Sequence, residues 1–542
     1  MAIGKSTGEK SEVLALARRA AARLRKDATT ATRRLRLCEE LLDADTASEE
    51  LRELAAALGA LDTDACHYWI GTFYTLLLSA ADRRSQAAYF TPPHLARGVI
   101  GLAQKEGFDL RTHTVVDPAA GGAAFLSMVA GHMRAARSTG ANIAKRLAGM
   151  EIDSGLARLA ERLIAERLSI EVRTGEIVKH RDSLTIRSPQ QFDLVIANPP
   201  YGRVLDAPSS RHWAQVCHAG HINKFALFAE LCFRLAKPGG LVALVLPSSF
   251  VAGPLYDKLR GHIRRNGEVL TLASVTDRED VFLDVQQDIT VLLVRAGAEH
   301  SIARQVTFGE FSGRRPFKVR STGCLPEHAG AAWGVPTSAA GQAVGGAVLA
   351  DYGADVRAGY FVWNREQHRM RPRSYSGRDV PLIWAENIRA GALCKPLSRD
   401  RDGVDYVNFK EGASERPVVR KNAVVIQRTT NSSQPRRLIA ARVSPSVVKE
   451  FGGFVSENHT IVLTARNDKA LNALCLLLNS RAADARYRRL SGTASVSVKL
   501  LRSLDLPRPE VLYQALERFD DPEAAVEHAY ALSAIATTEA AA

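Results

Sequence analysis

The sequence predicts an α/β protein, a Rossmann-like doubly wound sheet with an antiparallel edge strand, followed by a C-terminal mixed α/β domain. Three observations predict it. Between residues 90 and 295, short apolar runs of strand length alternate with stretches of helical periodicity. A small-residue turn, Asp117-Pro118-Ala119-Ala120-Gly121-Gly122-Ala123-Ala124, separates the first such run from a helical stretch. Polar residues then stand at the ends of successive runs, where open parallel sheets bind their ligands.

Residues 1–85 read as a helical N-terminal extension, since apolar residues from Ser11 to Asp82 recur at helical spacing with charges between them. Thr91-Pro92-Pro93 reads as a helix start, with Thr91 as N-cap and Leu95, Val99, Ile100 and Leu102 as the buried face. Strands are expected at 113–117, 147–152, 170–173, 192–197, 241–247 and 270–275, with helices at 154–168 and 224–235. The run at 287–295 follows the preceding strand without a clear helix between them, so it is expected to pair antiparallel at the sheet edge. The αβ domain is bounded at 86–300. Residues 301–345, rich in Gly, Ser, Pro and basic residues, read as a linker; 346–530 form the second domain, and 531–542 an Ala-rich tail.

At 542 residues the chain is too long for one ordinary core, so two domains plus an extension are expected. The formal charge of +14 favours a polyanionic partner, although an Arg-rich composition throughout would give the same number. Seven cysteines are scattered and never spaced as CxxC, which excludes a disulfide framework and fits a reducing, cytoplasmic setting. Cys217-His218 with His221 has no second cluster to complete four-coordination, and no metal is assigned. Neither a secretory leader nor an apolar run of membrane-spanning length is read, so no membrane association is expected.

Glu151, ending the second run, is suited to accept both ribose hydroxyls of a nucleoside cofactor, with Asp153 beside it as a helix N-cap. Asp182 is a candidate for an adenine amino group, or equally a solvated loop acid. After the apolar run 192–197 come Asn198-Pro199-Pro200-Tyr201. A carboxamide oxygen, a backbone carbonyl kept out of a helix and an aromatic face together suit a planar ring with an exocyclic amino group. Such an amine is a weak nucleophile because its lone pair is delocalised, so orientation by two acceptors matters more than a base. The absence of a nearby catalytic His, Cys or carboxylate agrees with that chemistry. Taken alone, the tetrapeptide is equally a proline-rich turn.

The order Thr91-Pro92-Pro93, Asp117 to Leu126, Glu151-Ile152-Asp153, Asp182, Asn198-Pro199-Pro200-Tyr201 resembles the adenine-N6-specific DNA methyltransferases of restriction–modification systems, in their gamma class. The likeness spans residues 86–295 and continues more loosely through Val455-Ser456-Glu457-Asn458-His459 and Ser491-Gly492-Thr493. It implies that Thr91, Asp117, Ala119, Gly121, Glu151 and Asp182 surround S-adenosylmethionine. It also implies that Asn198 and the Pro199 carbonyl, with Pro200, receive the target amine, and that Tyr201 and Phe282 enclose a base flipped out of duplex DNA. The C-terminal domain would read the target sequence. A separate cognate restriction endonuclease is an allowed partner, and a monomer or weak dimer is expected. Where the family has glycine, this chain has Ala123, whose methyl would crowd the cofactor's amino-acid end. Two alternatives stay open: methylation of RNA or of a protein glutamine, and a catalytically inactive DNA-binding specificity module.

Overall fold

The computed structural model describes residues 3–539 except 44, 46, 80–89, 188–190, 205–210, 276–288, 313–315, 327–332, 334–345, 373, 375–376, 395–404, 410–416, 430–435 and 491–495. The chain divides into two compact units, 1–331 and 332–542. Among the described residues no helix is long and apolar enough to cross a membrane.

The first unit opens with helices α1 (Ile3–Leu24), α2 (Ala31–Glu39), α3 (Glu49–Gly59) and α4 (Thr63–Leu77). Their apolar faces share one core with Leu156, Leu159 and Leu163 of the αβ domain, so the extension is packed into that domain. The sheet is built from β1 (Val115–Asp117), β2 (Leu147–Glu151), β3 (Val178–His180), β4 (Phe192–Ala197), β5 (Ala236–Pro247), β6 (Gly267–Val275), β7 (Ile289–Ala296), β8 (Val306–Phe311) and β9 (Lys318–Gly323). Their order is β3-β2-β1-β4-β5-β7-β6-β8-β9. β1 to β5 pair parallel throughout. Leu194 to Ala197 of β4 and Leu241 to Pro247 of β5 are buried, as central strands covered on both faces must be. Helices α5 (Pro93–Lys105), α6 (Ala124–Ala135), α7 (Ser154–Leu168), α8 (Lys224–Leu235) and α9 (Asp257–Asn266) connect or cover these strands.

Three expectations are corrected. The antiparallel strand is not at the edge: β7 lies between β5 and β6 and pairs antiparallel with both. The expected linker at 301–345 contains β8 and β9, which extend the sheet beyond residue 300. Val306, Phe308 and Phe311 bury their side chains there, although Gly, Ser and Arg dominate the surrounding composition. The run at 170–173 forms no strand, although Ile170 and Val172 pack half-buried against the core. The chain instead turns at Gly175, whose φ is +80°, and the Glu161 carboxylate accepts from the amides of Gly175 and Ile177, starting β3 at Val178. The tail from 531 is helical for most of its length, within Pro522–Glu539.

The second unit is mixed α/β. A four-stranded antiparallel sheet runs in the order Asp355–Ala358, Thr460–Thr464, Val424–Gln427, Ala440–Arg442. A five-stranded sheet contains Asp379–Ile383 paired parallel with Phe454–Ser456. Helices Asp468–Leu478, Pro509–Arg518 and Pro522–Glu539 complete the unit.

Candidate active site

Because β2, β1 and β4 are adjacent and parallel, their carboxyl ends bring Glu151, Asp117 and Asn198 to one rim of the sheet. This is also where the strand order reverses direction, the position at which such sheets leave a crevice.

Asp117 is buried, and its Oδ1 accepts from the Ala119 amide at 2.9 Å. Burial pushes its carboxyl up to about 8, and the charge of Glu151 adds to the rise. Glu151 takes two amides, Gly121 N on Oε2 and Asp153 N on Oε1, both at 2.9 Å. Burial raises its carboxyl too, against the pull of those hydrogen bonds. Among the described residues no cationic side chain pairs with either carboxylate. This rim therefore suits a ligand that brings positive charge, and each carboxylate retains lone pairs for hydroxyl or ammonium donors.

The turn between β1 and α6 is tight. Gly121 has φ +52°, and a Cβ there would meet Cε1 of Phe90 at 2.6 Å. Ala123 caps α6 from the left-handed region at φ 61°, a conformation usually left to glycine. Its methyl is fully buried in the main core, so the expected crowding of a ligand by that methyl is not what the structure shows.

Asp182 caps a short 3-10 turn by accepting from Leu184 N at 3.0 Å, and it is exposed. The neighbouring Ser183 hydroxyl donates to the Pro118 carbonyl at 2.6 Å, tying the Asp182 loop to the Asp117 loop. Thr91 is not a helix cap, since Pro92 holds that position without a side-chain bond. Thr91 is buried instead, lining a cavity of about 10 Å³ with His67 and Ser127.

At the tip of β4, Asn198 is half-buried and Pro199 buried. Tyr201 is half-buried, and its one hydroxyl proton is shared between Asn198 Oδ1 at 3.1 Å and the Val245 carbonyl at 3.2 Å. Its ring meets Phe225 edge-on, 6.4 Å between centroids at 84°, and Phe225 meets Tyr256 at 5.3 Å. Burial pushes the Tyr201 hydroxyl upward, so it remains a donor. Phe282 lies outside the described residues. His218 and His221 are engaged elsewhere, His218 with Asp257 at 2.6 Å and His221 with Arg203 at 3.3 Å.

Two neighbours escaped the sequence reading. Ile152 is 65 % exposed beside Glu151, an apolar surface that its position at a strand tip foreshadows. Phe90, adjoining Thr91, covers the glycine turn.

Residues 142–282 match the Eco57I restriction-modification methylase family model, so the chain carries a restriction–modification methylase domain. The chain is similar to the type II methyltransferase M.BsuBI of Bacillus subtilis, at 22 % identity over 61 % of this chain and 68 % of the relative. It is 30 % identical to the type II methyltransferase M.TthHB8I of Thermus thermophilus over 36 % of this chain and 43 % of the relative. Among solved structures, the DrdV–DNA complex aligns over 86 % of this chain and 61 % of that chain with a TM-score of 0.51 and 12 % identity, a likeness of fold.

Proposed function

We propose that this chain, which carries a restriction–modification methylase domain, transfers a methyl group from S-adenosylmethionine to the N6 amine of an adenine extruded from duplex DNA. One observation carries the reading: a carboxamide oxygen held by a tyrosine hydroxyl lies at the end of β4, beside strands whose ends carry the buried Asp117 and half-buried Glu151 carboxylates, with no cationic partner among the described residues. When bound, the cofactor supplies an electrophilic methyl on a cationic sulfonium. Glu151 would accept its ribose hydroxyls, Asp117 would face the ammonium of its amino-acid end, and the turn containing Ala119 and Gly121 with the buried Thr91 would shape the cradle. Asp182 and the apolar face of Ile152 adjoin its adenine.

Asn198 Oδ1 and the Pro199 carbonyl accept the two amine hydrogens, turning the nitrogen lone pair toward the methyl. Positioning of this kind supplies on the order of 7–11 kcal/mol at best, without a strong base. Tyr201 presents its ring to the base, worth roughly 1–3 kcal/mol, while its hydroxyl orients Asn198. Phe282 is assigned to the same base pocket. Residues 346–530 are assigned to target recognition, and the methyl mark protects host DNA within a restriction–modification system. The test is transfer of labelled methyl to duplex DNA, structured RNA and protein, followed by mass spectrometry of nucleosides. N6-methyldeoxyadenosine is expected, and label confined to RNA or protein would overturn the reading.

A further inference from the structure

Helix α4 belongs to the N-terminal extension, yet three of its side-chain positions touch three separate parts of the candidate cofactor site. His67, Gly71 and Tyr74 are spaced by four and three residues, so they share one face of the helix. His67 Nδ1 bonds the Ser127 hydroxyl on α6 at 2.8 Å, with both side chains buried. Gly71 lies against the glycine turn: a Cβ on Gly122 would stand 3.1 Å from the Gly71 Cα. The Phe90 ring fills the adjoining space, reaching Gly71, Gly121 and Gly122 together. The Tyr74 hydroxyl donates to Asp153 Oδ1 at 2.6 Å and sits over the start of α7, where a Cβ on Gly155 would meet it at 2.1 Å.

These contacts close on themselves. From Tyr74 the path runs to Asp153, from the Asp153 amide to Glu151 Oε1, and from Glu151 Oε2 to the Gly121 amide. It then passes along the turn to Gly122 and returns to α4 at Gly71. Arg34 of α2 braces the circuit, its guanidinium 5.2 Å from the Tyr74 ring centroid and 3.7 Å from Asp153 Oδ2. Glu151 and the glycine turn come from different strands, and α4 touches the structure around both.

We propose that the His67–Gly71–Tyr74 face of α4 is the positioning element of the cofactor site, setting the glycine turn and the Glu151 carboxylate at their mutual distance. The inference rests on the reading of this rim as a cofactor site. At Gly71 the backbone of α4 meets the glycine turn directly. An alanine Cβ would stand 3.4 Å from the Gly122 Cα and from Cε2 of Phe90, an ordinary contact, whereas a larger side chain must displace the turn or the ring. Gly71 and Tyr74 act through the residues they hold, so both are positioning residues.

The experiment is calorimetric titration of the full chain with S-adenosylhomocysteine, with steady-state methyl transfer alongside. Gly71→Leu is expected to weaken binding about tenfold or more and Gly71→Ala by less than about threefold. Tyr74→Phe, which removes one buried hydroxyl, is expected to weaken binding about fivefold. Each variant should raise the KM for the cofactor while kcat at saturating cofactor and DNA stays within about threefold of wild type. That split separates positioning from a general loss of folded protein, which would lower kcat and leave KM unchanged. Should Gly71→Leu fail to fold, the Tyr74→Phe titration carries the test. Wild-type affinity in folded Gly71→Leu and Tyr74→Phe overturns the inference alone. No binding by the wild-type chain overturns the cofactor reading and the inference with it.

Discussion

The hydroxyl of Tyr201 donates to the carboxamide oxygen of Asn198 at 3.1 Å, so the aromatic and the amide of one tetrapeptide are joined before any substrate arrives. The Val245 carbonyl of the neighbouring strand β5 lies 3.2 Å from the same hydroxyl. The single hydroxyl proton is shared between these two acceptors, which ties the Asn198 carboxamide to the β5 backbone. Tyr201→Phe keeps the ring and removes this restraint. Its kcat is expected to fall about 5- to 10-fold, in line with losing a hydrogen bond of about 1 kcal/mol, while its affinity for duplex DNA stays near wild type. Single-turnover kinetics with a DNA-binding assay checks both.

Asn198→Ala removes the acceptor itself. Methyl transfer is expected to drop about 100- to 1,000-fold, the scale seen when one preorganised polar contact at a reacting group is deleted, with DNA binding largely intact. Near-full activity in this variant would show that the acceptor pocket is elsewhere.

The buried Asp117 predicts two opposite pH dependences. In the ligand-free protein its carboxyl titrates near 8, against 3.8 for an unperturbed carboxyl, so between those limits the folded chain holds a proton that the unfolded chain has lost. That contribution to stability is complete below about pH 4 and disappears as pH rises through 8, with a slope of at most about 1.4 kcal/mol per pH unit. A cationic ligand favours the ionised form, so cofactor affinity should rise from pH 6 to pH 8 and level off above. Asp117→Asn should flatten both trends, measured by denaturant unfolding and calorimetric titration across that range.

Gly121 occupies the left-handed region with no space for a side chain, since a Cβ would lie 2.6 Å from the Phe90 ring. Gly121→Ala is expected to cost about 1–3 kcal/mol through backbone strain and overpacking. It should also weaken cofactor binding, because the Gly121 amide holds Glu151. Thermal unfolding with and without cofactor separates the two effects.

In the second unit, Tyr360 and Trp363 are exposed large side chains, 61 % and 41 %, close in sequence to Arg357, Arg365 and Arg369. If this unit reads DNA, Trp363→Ala should lower affinity for duplex DNA about 5- to 50-fold without changing cofactor affinity. Fluorescence anisotropy with a duplex containing the methylated site tests it, and equal DNA affinity would remove this surface from recognition.

What the sequence determined by itself was local. The apolar run 192–197 must be a covered strand, and the tetrapeptide that ends it cannot continue into a helix, so Asn198 and Tyr201 were legible as a strand-tip group. Asp117, Glu151 and the glycine turn were legible for the same reason, each being a few residues at the end of a run with strand periodicity. Tertiary structure decided what depends on partners distant in the chain. The β8 and β9 strands lie in a stretch whose composition reads as loop, and only the pairing of β8 with β6 and of β9 with β8 makes them part of the sheet. β7 entered between β5 and β6, an arrangement that periodicity cannot distinguish from an edge because strand order is a property of neighbours. Tyr74 reaches Asp153 across 79 residues, and Gly71 meets Gly122 across 51. Contacts of that kind leave no pattern in either segment alone, since helical spacing records that a face is buried and not what it is buried against.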